Sequence, residues 1–123
     1  MKPTVDLTEA NFETEVLRSN QPVLVEFGTG WSLPSMGLNG LLEEIADEFA
    51  DFVKVARVEL DRNPNLGLWY GIRCLPTILC FVDGEERLGI FGASNKDTIL
   101  YQLTSVISPA RARNLPRPHL TRD

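Results

Sequence analysis

The hydrophobic pattern of the chain switches several times between the periodicity of strands and that of helices. Three mainly apolar runs are typical of strands buried on both faces of a sheet. They are Pro22–Phe27, Phe52–Leu60 and Thr77–Val82. The turn signal Asp83-Gly84 follows the third run, so Glu86–Phe91 is predicted to return as an antiparallel strand. These segments predict a sheet of at least four strands.

Segments with helical periodicity fill the intervals. Thr8 is the predicted N-cap of a helix that ends near Arg18, and Thr4–Leu7 before it is a candidate extended segment. Ser32 is the predicted N-cap of a long helix, and Ser94–Asp97 has the form of a capping box before a final helix through residue 107. A short helix is also predicted after Asp61-Arg62-Asn63-Pro64, up to residue 69. Alternation of strands and helices predicts one α/β domain over residues 1–107, with a central mixed sheet flanked by helices.

The composition of the chain limits the classes of molecule that it is expected to bind. The chain has 123 residues, a hydrophobic fraction of 43% and a net charge of −5, which fits a globular domain and disfavours nucleic acid or an anionic membrane as a partner. No apolar run is long enough to span a bilayer, and the N-terminal residues do not resemble a signal peptide. We therefore expect a cytoplasmic protein.

The last sixteen residues differ from the rest. Residues 108–123 contain four arginines, three prolines and one aspartate, without apolar periodicity. This composition predicts a basic, disordered tail. The alternative is an arm that contacts an acidic partner or the acidic surface of its own domain.

The two cysteines do not form an obvious redox pair. Cys74 and Cys80 lie in or beside one predicted strand, too far apart along an extended chain for a disulfide. Cys80 alternates with Ile78 and is expected in the core. The sequence has no Cys/His cluster, phosphate-binding loop or dinucleotide fingerprint, so no metal and no cofactor are predicted.

Several segments, in order and in register, resemble the thioredoxin family over about residues 4–107. Pro22–Phe27 resembles the family's central strand, Leu41–Phe49 its following helix, and Leu75-Pro76-Thr77 its cis-proline segment. Trp31-Ser32-Leu33-Pro34-Ser35 stands in the place of the family's W-C-G-P-C. The resemblance implies a thioredoxin fold in which both active-site cysteines are serines.

The two serines remove the disulfide-exchange chemistry that the resemblance would otherwise imply. In the family, one cysteine attacks a substrate disulfide as a thiolate and the second resolves the mixed disulfide. Serine oxygens do not replace sulfur in this exchange, so Ser32 and Ser35 are expected to be vestigial, with Ser32 as a structural N-cap. The only histidine, His119, lies in the tail. Glu26 stands where the family has a buried aspartate, and we expect it to pair with Arg57.

The resemblance implies a binding groove beside the proline. The backbone of Leu75, next to Pro76, is expected to pair with an extended protein segment. The expected lining is Trp31, Leu33, Pro34, Met36, Leu75 and Ile90. The sequence thus predicts a redox-inactive module that binds a protein or peptide.

Two alternatives remain open. Cys74, two residues before Pro76, could act as a single redox thiol or form an intermolecular disulfide. The serines could also be engineered replacements in a thioredoxin oxidoreductase. The family usually has Trp at position 28, Gly at 33, Lys at 36 and Pro at 40, and all four positions differ here. Natural drift of the motif explains this joint difference better than two engineered substitutions.

Overall fold

A five-stranded sheet forms the centre of the molecule. The structure is a computed structural model that describes residues 3–92 and 94–107, except for the side chains at positions 33, 34 and 36. The strands are β1 (Val5–Leu7), β2 (Val23–Gly28), β3 (Lys54–Glu59), β4 (Thr77–Val82) and β5 (Glu85–Phe91). Their order in the sheet is β1-β3-β2-β4-β5. β3 pairs in parallel with β1 and β2, β4 pairs antiparallel with β2, and β5 pairs antiparallel with β4. This mixed sheet confirms the predicted α/β architecture.

Helical segments cover both faces of the sheet. They comprise a π-helical turn (Glu13–Leu17), α1 (Leu33–Glu48), α2 (Pro64–Trp69) and α3 (Lys96–Thr104). One apolar cluster joins α1 and α3 to the sheet and includes Leu24, Ile45 and Leu103. The other lies on the opposite face and includes Phe12, Phe27 and Phe81.

The first predicted helix is not an α-helix. Thr8 does accept hydrogen bonds at its Oγ1, from the amides of Ala10 at 3.2 Å and Asn11 at 3.3 Å. The turn that follows is wider than an α-helical turn, because the Arg18 amide donates to the carbonyl of Glu13 at 2.9 Å. This five-residue hydrogen bond defines a π-helical turn, which apolar periodicity alone does not distinguish from an α-helix.

The cap of the last helix also differs from the prediction. Asn95, not Ser94, is the N-cap of α3, and its Oδ1 accepts a hydrogen bond from the Thr98 amide at 2.8 Å. Asn and Ser are comparable N-caps, so sequence alone does not decide between these adjacent residues. The hairpin is as predicted, because Asp83 and Gly84 both have positive φ, 54° and 80°, as a type I′ turn requires.

Within the described residues, no helix is long and apolar enough to cross a membrane. The predicted basic tail, residues 108–123, lies outside the described part of the chain.

Candidate functional site

The sheet register brings the two candidate motifs to the same edge. Phe27, near the end of β2, pairs with Thr77, the first residue of β4. The chain leaving β2 toward the start of α1 therefore passes beside Pro76, which precedes β4. The serine motif and the proline segment are 40 residues apart in sequence, yet antiparallel pairing places them together.

The two serines at the start of α1 have different environments. Ser32 is the N-cap, and its Oγ accepts a hydrogen bond from the Ser35 amide at 3.4 Å. Ser35 is fully buried, and its own Oγ has no hydrogen-bond partner among the described residues. Ser32 thus satisfies one of the free amides of the first helical turn, whereas the Ser35 hydroxyl contributes no hydrogen bond there.

Glu26 lies behind the serines, on the face of the sheet that α1 covers. Its Oε1 accepts a hydrogen bond from Arg57 Nε at 2.5 Å, and the glutamate side chain is fully buried. Its Oε2 has no partner among the described residues. A Cβ built on Gly28 would lie 2.3 Å from Glu26 Oε2 and 2.6 Å from Ser35 Oγ. Both unpartnered oxygens therefore lie close to Gly28, and only glycine leaves them room.

Burial controls the acidity of this carboxyl group. It raises the pKa of Glu26 above the ordinary value of 4.5, while the hydrogen bond and positive charge of Arg57 act in the opposite direction. Glu59 adds a small upward contribution. Glu26 is thus a weaker acid than an exposed glutamate.

The loop between β2 and α1 is fixed to the end of β3. The Gly30 amide donates to Glu59 Oε2 at 3.1 Å, and the Leu60 amide donates to the Gly28 carbonyl at 2.9 Å. Trp31 follows this anchored segment, and its side chain is 69% exposed. An exposed indole on a fixed loop is suited to contact a partner.

The proline segment presents unpaired backbone. The Leu75–Pro76 peptide bond is cis. The Gly92 amide donates to the Pro76 carbonyl at 2.8 Å, and Thr77 Oγ1 donates to the Cys74 carbonyl at 2.8 Å. Leu75 lies between these anchored residues, and within the described chain its own amide and carbonyl form no hydrogen bond. This half-buried residue therefore offers one donor and one acceptor for an extended ligand.

The two thiols differ strongly in exposure. Cys74 is exposed and Cys80 is buried in β4, and neither forms a disulfide. Burial raises the pKa of the Cys80 thiol to about 12. Cys74 Sγ lies 3.5 Å from Thr77 Oγ1, at the start of β4. Cys80 therefore belongs to the core, as predicted, and Cys74 is the accessible thiol.

Part of the predicted groove lining requires correction. Ile90 does not line it, because this residue is 7% exposed and packs in the core beneath α1 and α3. Its neighbour Phe91 is 68% exposed and pairs in register with Thr77. The Phe91 ring lies over Gly89, where a Cβ would approach it to 2.7 Å. Phe91 was not among the predicted lining residues, although alternation along β5 places it opposite the buried Ile90.

The remaining lining residues are only partly described. The side chains of Leu33, Pro34 and Met36 lie outside the described part of the structure. Sequence reasoning also missed Glu59, since no motif signals a carboxylate that anchors a loop from the neighbouring strand. Across residues 3–92 and 94–107, no group of three or more His, Cys, Asp or Glu residues could hold a metal ion.

The fold and the position of the site define a thioredoxin-fold protein, with the helix N-terminus and the cis-proline at one edge of the sheet. Comparison with known proteins agrees. The family model described as Thioredoxin matches residues 3–105. The thioredoxin of Pyropia yezoensis is 37% identical over 102 residues, covering 83% of this chain and 95% of the relative. Thioredoxin 1 of Synechococcus elongatus is 39% identical over 99 residues, covering 80% and 92%. The chain belongs to the thioredoxin family.

Proposed function

We propose that this protein is a redox-inactive member of the thioredoxin family that binds an extended protein segment beside Leu75 and Pro76. The unpaired backbone of Leu75 is the observation that carries the proposal. An extended segment that pairs with one residue at a sheet edge gains main-chain hydrogen bonds without requiring a particular sequence. The exposed side chains of Trp31 and Phe91 supply apolar contact at the same edge.

The absence of dithiol chemistry rests on the two serine positions. Disulfide exchange needs a thiolate at the attacking position and a second thiol that resolves the intermediate. Ser32 and Ser35 hold these positions, and the described residues contain only one accessible thiol, Cys74. Two free cysteines are consistent with a reducing compartment, so we place the protein in the cytoplasm.

Insulin reduction driven by dithiothreitol tests whether the protein lacks disulfide reductase activity. We expect the native protein and Cys74→Ser to show the same rate as dithiothreitol alone. A Ser32→Cys/Ser35→Cys double variant is the positive control for the scaffold. Native activity that disappears in Cys74→Ser would instead make Cys74 a catalytic thiol and refute the redox-inactive function.

Nuclear magnetic resonance of the Leu75 amide tests the binding function. The probe is a capped seven-residue peptide of alternating valine and threonine. We expect it to shift the Leu75 amide resonance downfield and to slow its hydrogen exchange. The matched control is the same peptide methylated at every backbone nitrogen, which has no backbone N–H left to donate to the Leu75 carbonyl. Equal effects of the two peptides, or none from either, would contradict pairing at Leu75.

Cys74 supports a second candidate function. It is exposed, and it lies one residue before the unpaired Leu75 backbone. A bound partner with a nearby cysteine could therefore form a disulfide with it. Oxidation of the native protein in the presence of such a partner should then give a covalent complex that dithiothreitol dissolves and Cys74→Ser prevents.

A further inference from the structure

A groove runs along the outer face of α3, opposite the side of this helix that packs on the sheet. Its volume is about 620 Å³. Residues three or four apart on a helix share one face, and the described lining consists of such residues. They are Asp97, Thr98, Tyr101, Gln102 and Ser105. We call this surface the α3 groove.

Two side chains of the α3 groove are suited to a cationic group. The side chain of Tyr101 is 63% exposed. Asp97 forms no ion pair within the described part of the chain. Its neighbour Lys96 is bonded instead to Glu44 and Glu48 of α1. A guanidinium can stack on an aromatic ring or pair with a carboxylate, so arginine is complementary to both Tyr101 and Asp97.

The chain itself supplies arginines directly after this helix. Ile107 is buried and packs in the core with residues of α1, which fixes the point where the tail begins. Residues 108–123 carry a net charge of +3, against −8 for residues 1–107. A tethered segment meets its own domain at an effective concentration on the order of millimolar, so contacts that are weak for a free peptide suffice to hold it.

The spacing of two arginines in the tail matches the spacing of the two residues in the groove. Arg111 and Arg113 are two residues apart, which is about 6.6 Å in an extended chain. Tyr101 and Asp97 are four residues apart, which is about 6 Å along the helix. Arg111 follows Ile107 by about 13 Å of extended chain, and Tyr101 precedes Ile107 by about 9 Å along the helix direction. The tail is therefore long enough to turn back and bring both arginines to these residues.

We propose that the tail returns along the α3 groove, with Arg111 stacked on Tyr101 and Arg113 paired with Asp97. The proposal commits to a segment of this chain as the occupant of the groove. It goes beyond the proposed function, because it does not involve the backbone of Leu75.

Nuclear magnetic resonance of the full chain tests the proposal through the double variant Arg111→Gln/Arg113→Gln. We expect this variant to shift the backbone amide resonances of Asp97, Tyr101 and Ser105. The shifts should have the same direction as those of the native protein in about 1 M sodium chloride, because salt at this concentration screens ion pairs.

The matched control is Arg117→Gln/Arg122→Gln. It removes the same charge from the same tail, but these two arginines are five residues apart and do not match the spacing of Tyr101 and Asp97. We expect this control to leave the three amide resonances of α3 unchanged.

Tyr101→Leu tests the stacking separately, because leucine keeps an apolar side chain but has no ring. In the native protein the ring should shift the Hδ resonances of Arg111 upfield, and the variant should lose this shift.

Three results would overturn the proposal. Equal shifts from the two arginine double variants, or none from either, would show that the tail does not recognise the α3 groove. Arg111 Hδ resonances that are the same in the native protein and in Tyr101→Leu would refute the stacking. Resonances of α3 that change on dilution of the native protein would show that the tail of a second copy occupies the groove. None of these measurements involves Leu75, so each of these results leaves the proposed function standing.

Discussion

The same substitution at two neighbouring serines should have opposite effects on stability. Ser32→Ala removes the hydroxyl that caps α1, and Ser35→Ala removes a buried hydroxyl that has no partner among the described residues. Both residues are buried, and both changes delete one oxygen. Their difference therefore reports on hydrogen bonding rather than on side-chain volume.

The structure sets the expected magnitudes. Loss of an N-cap costs about 0.5–2 kcal/mol, and the 3.4 Å length of this bond favours the lower half of that range. A buried hydroxyl without a partner costs about 1–3 kcal/mol, and alanine also has the higher helix propensity. We expect Ser32→Ala to destabilise the protein by about 0.5–1 kcal/mol and Ser35→Ala to stabilise it by about 1 kcal/mol.

Urea denaturation measures this contrast directly. With a slope of about 1–3 kcal/mol per molar urea, the two midpoints should separate by on the order of 1 M, on opposite sides of the native value. Circular dichroism and tryptophan fluorescence should give coincident transitions. A Ser35→Ala variant that is destabilised like Ser32→Ala would refute the reasoning, because it would show that the Ser35 hydroxyl is bonded in the folded protein.

Three further predictions concern groups near the same edge. Gly28→Ala should destabilise the protein by about 1–3 kcal/mol in urea denaturation, because its Cβ would collide with buried oxygens. Gly30→Ala should change stability little, because its Cβ would lie 3.9 Å from the nearest atom, Glu59 Oε1. The Glu26 carboxyl group loses its proton near pH 4.5 in the unfolded chain and at higher pH in the folded chain. Its contribution to stability is therefore full below pH 4.5 and is lost as the pH rises through the folded pKa. Glu26→Gln should abolish this loss in unfolding curves measured over a series of pH values. Ellman's reagent should titrate one thiol in the native protein, Cys74, and a second, Cys80, only after denaturation; two fast thiols would contradict the burial of Cys80.

Strand and helix positions were predictable where local chemistry alone determines them. The apolar runs at Pro22–Phe27 and Thr77–Val82 are long and uninterrupted by turn residues, so both strands lie where their patterns indicate. The Asp83-Gly84 turn needs two residues with positive φ, and the sequence supplies residues that tolerate them. The π-helical turn at Glu13–Leu17 was not predictable, since one widened turn leaves the apolar face unchanged.

The candidate site was predictable only in part, because its geometry depends on contacts that are distant in sequence. The N-cap at Ser32 follows from local sequence, and the structure contains it. The anchoring of Gly30 by Glu59 joins the ends of two strands and leaves no local signal. Ile90 was assigned to the groove and Phe91 was not considered, because β5 is partly exposed on both sides and its alternation is weak.

The serine positions and the proposed binding edge at Leu75 are oriented by different hydrogen bonds. The serine positions lie at the start of α1, and Ser35 is close to the buried Glu26, which pairs with Arg57. The Leu75 backbone is instead held by bonds from Gly92 and Thr77, which belong to the other half of the sheet. Ser32 and Ser35 form neither of these two bonds. The proposed binding function therefore requires only that the pairing of β2 with β4, from Val23–Phe81 to Phe27–Thr77, and the bonds around Leu75 stay intact, and neither depends on a thiol at position 32 or 35.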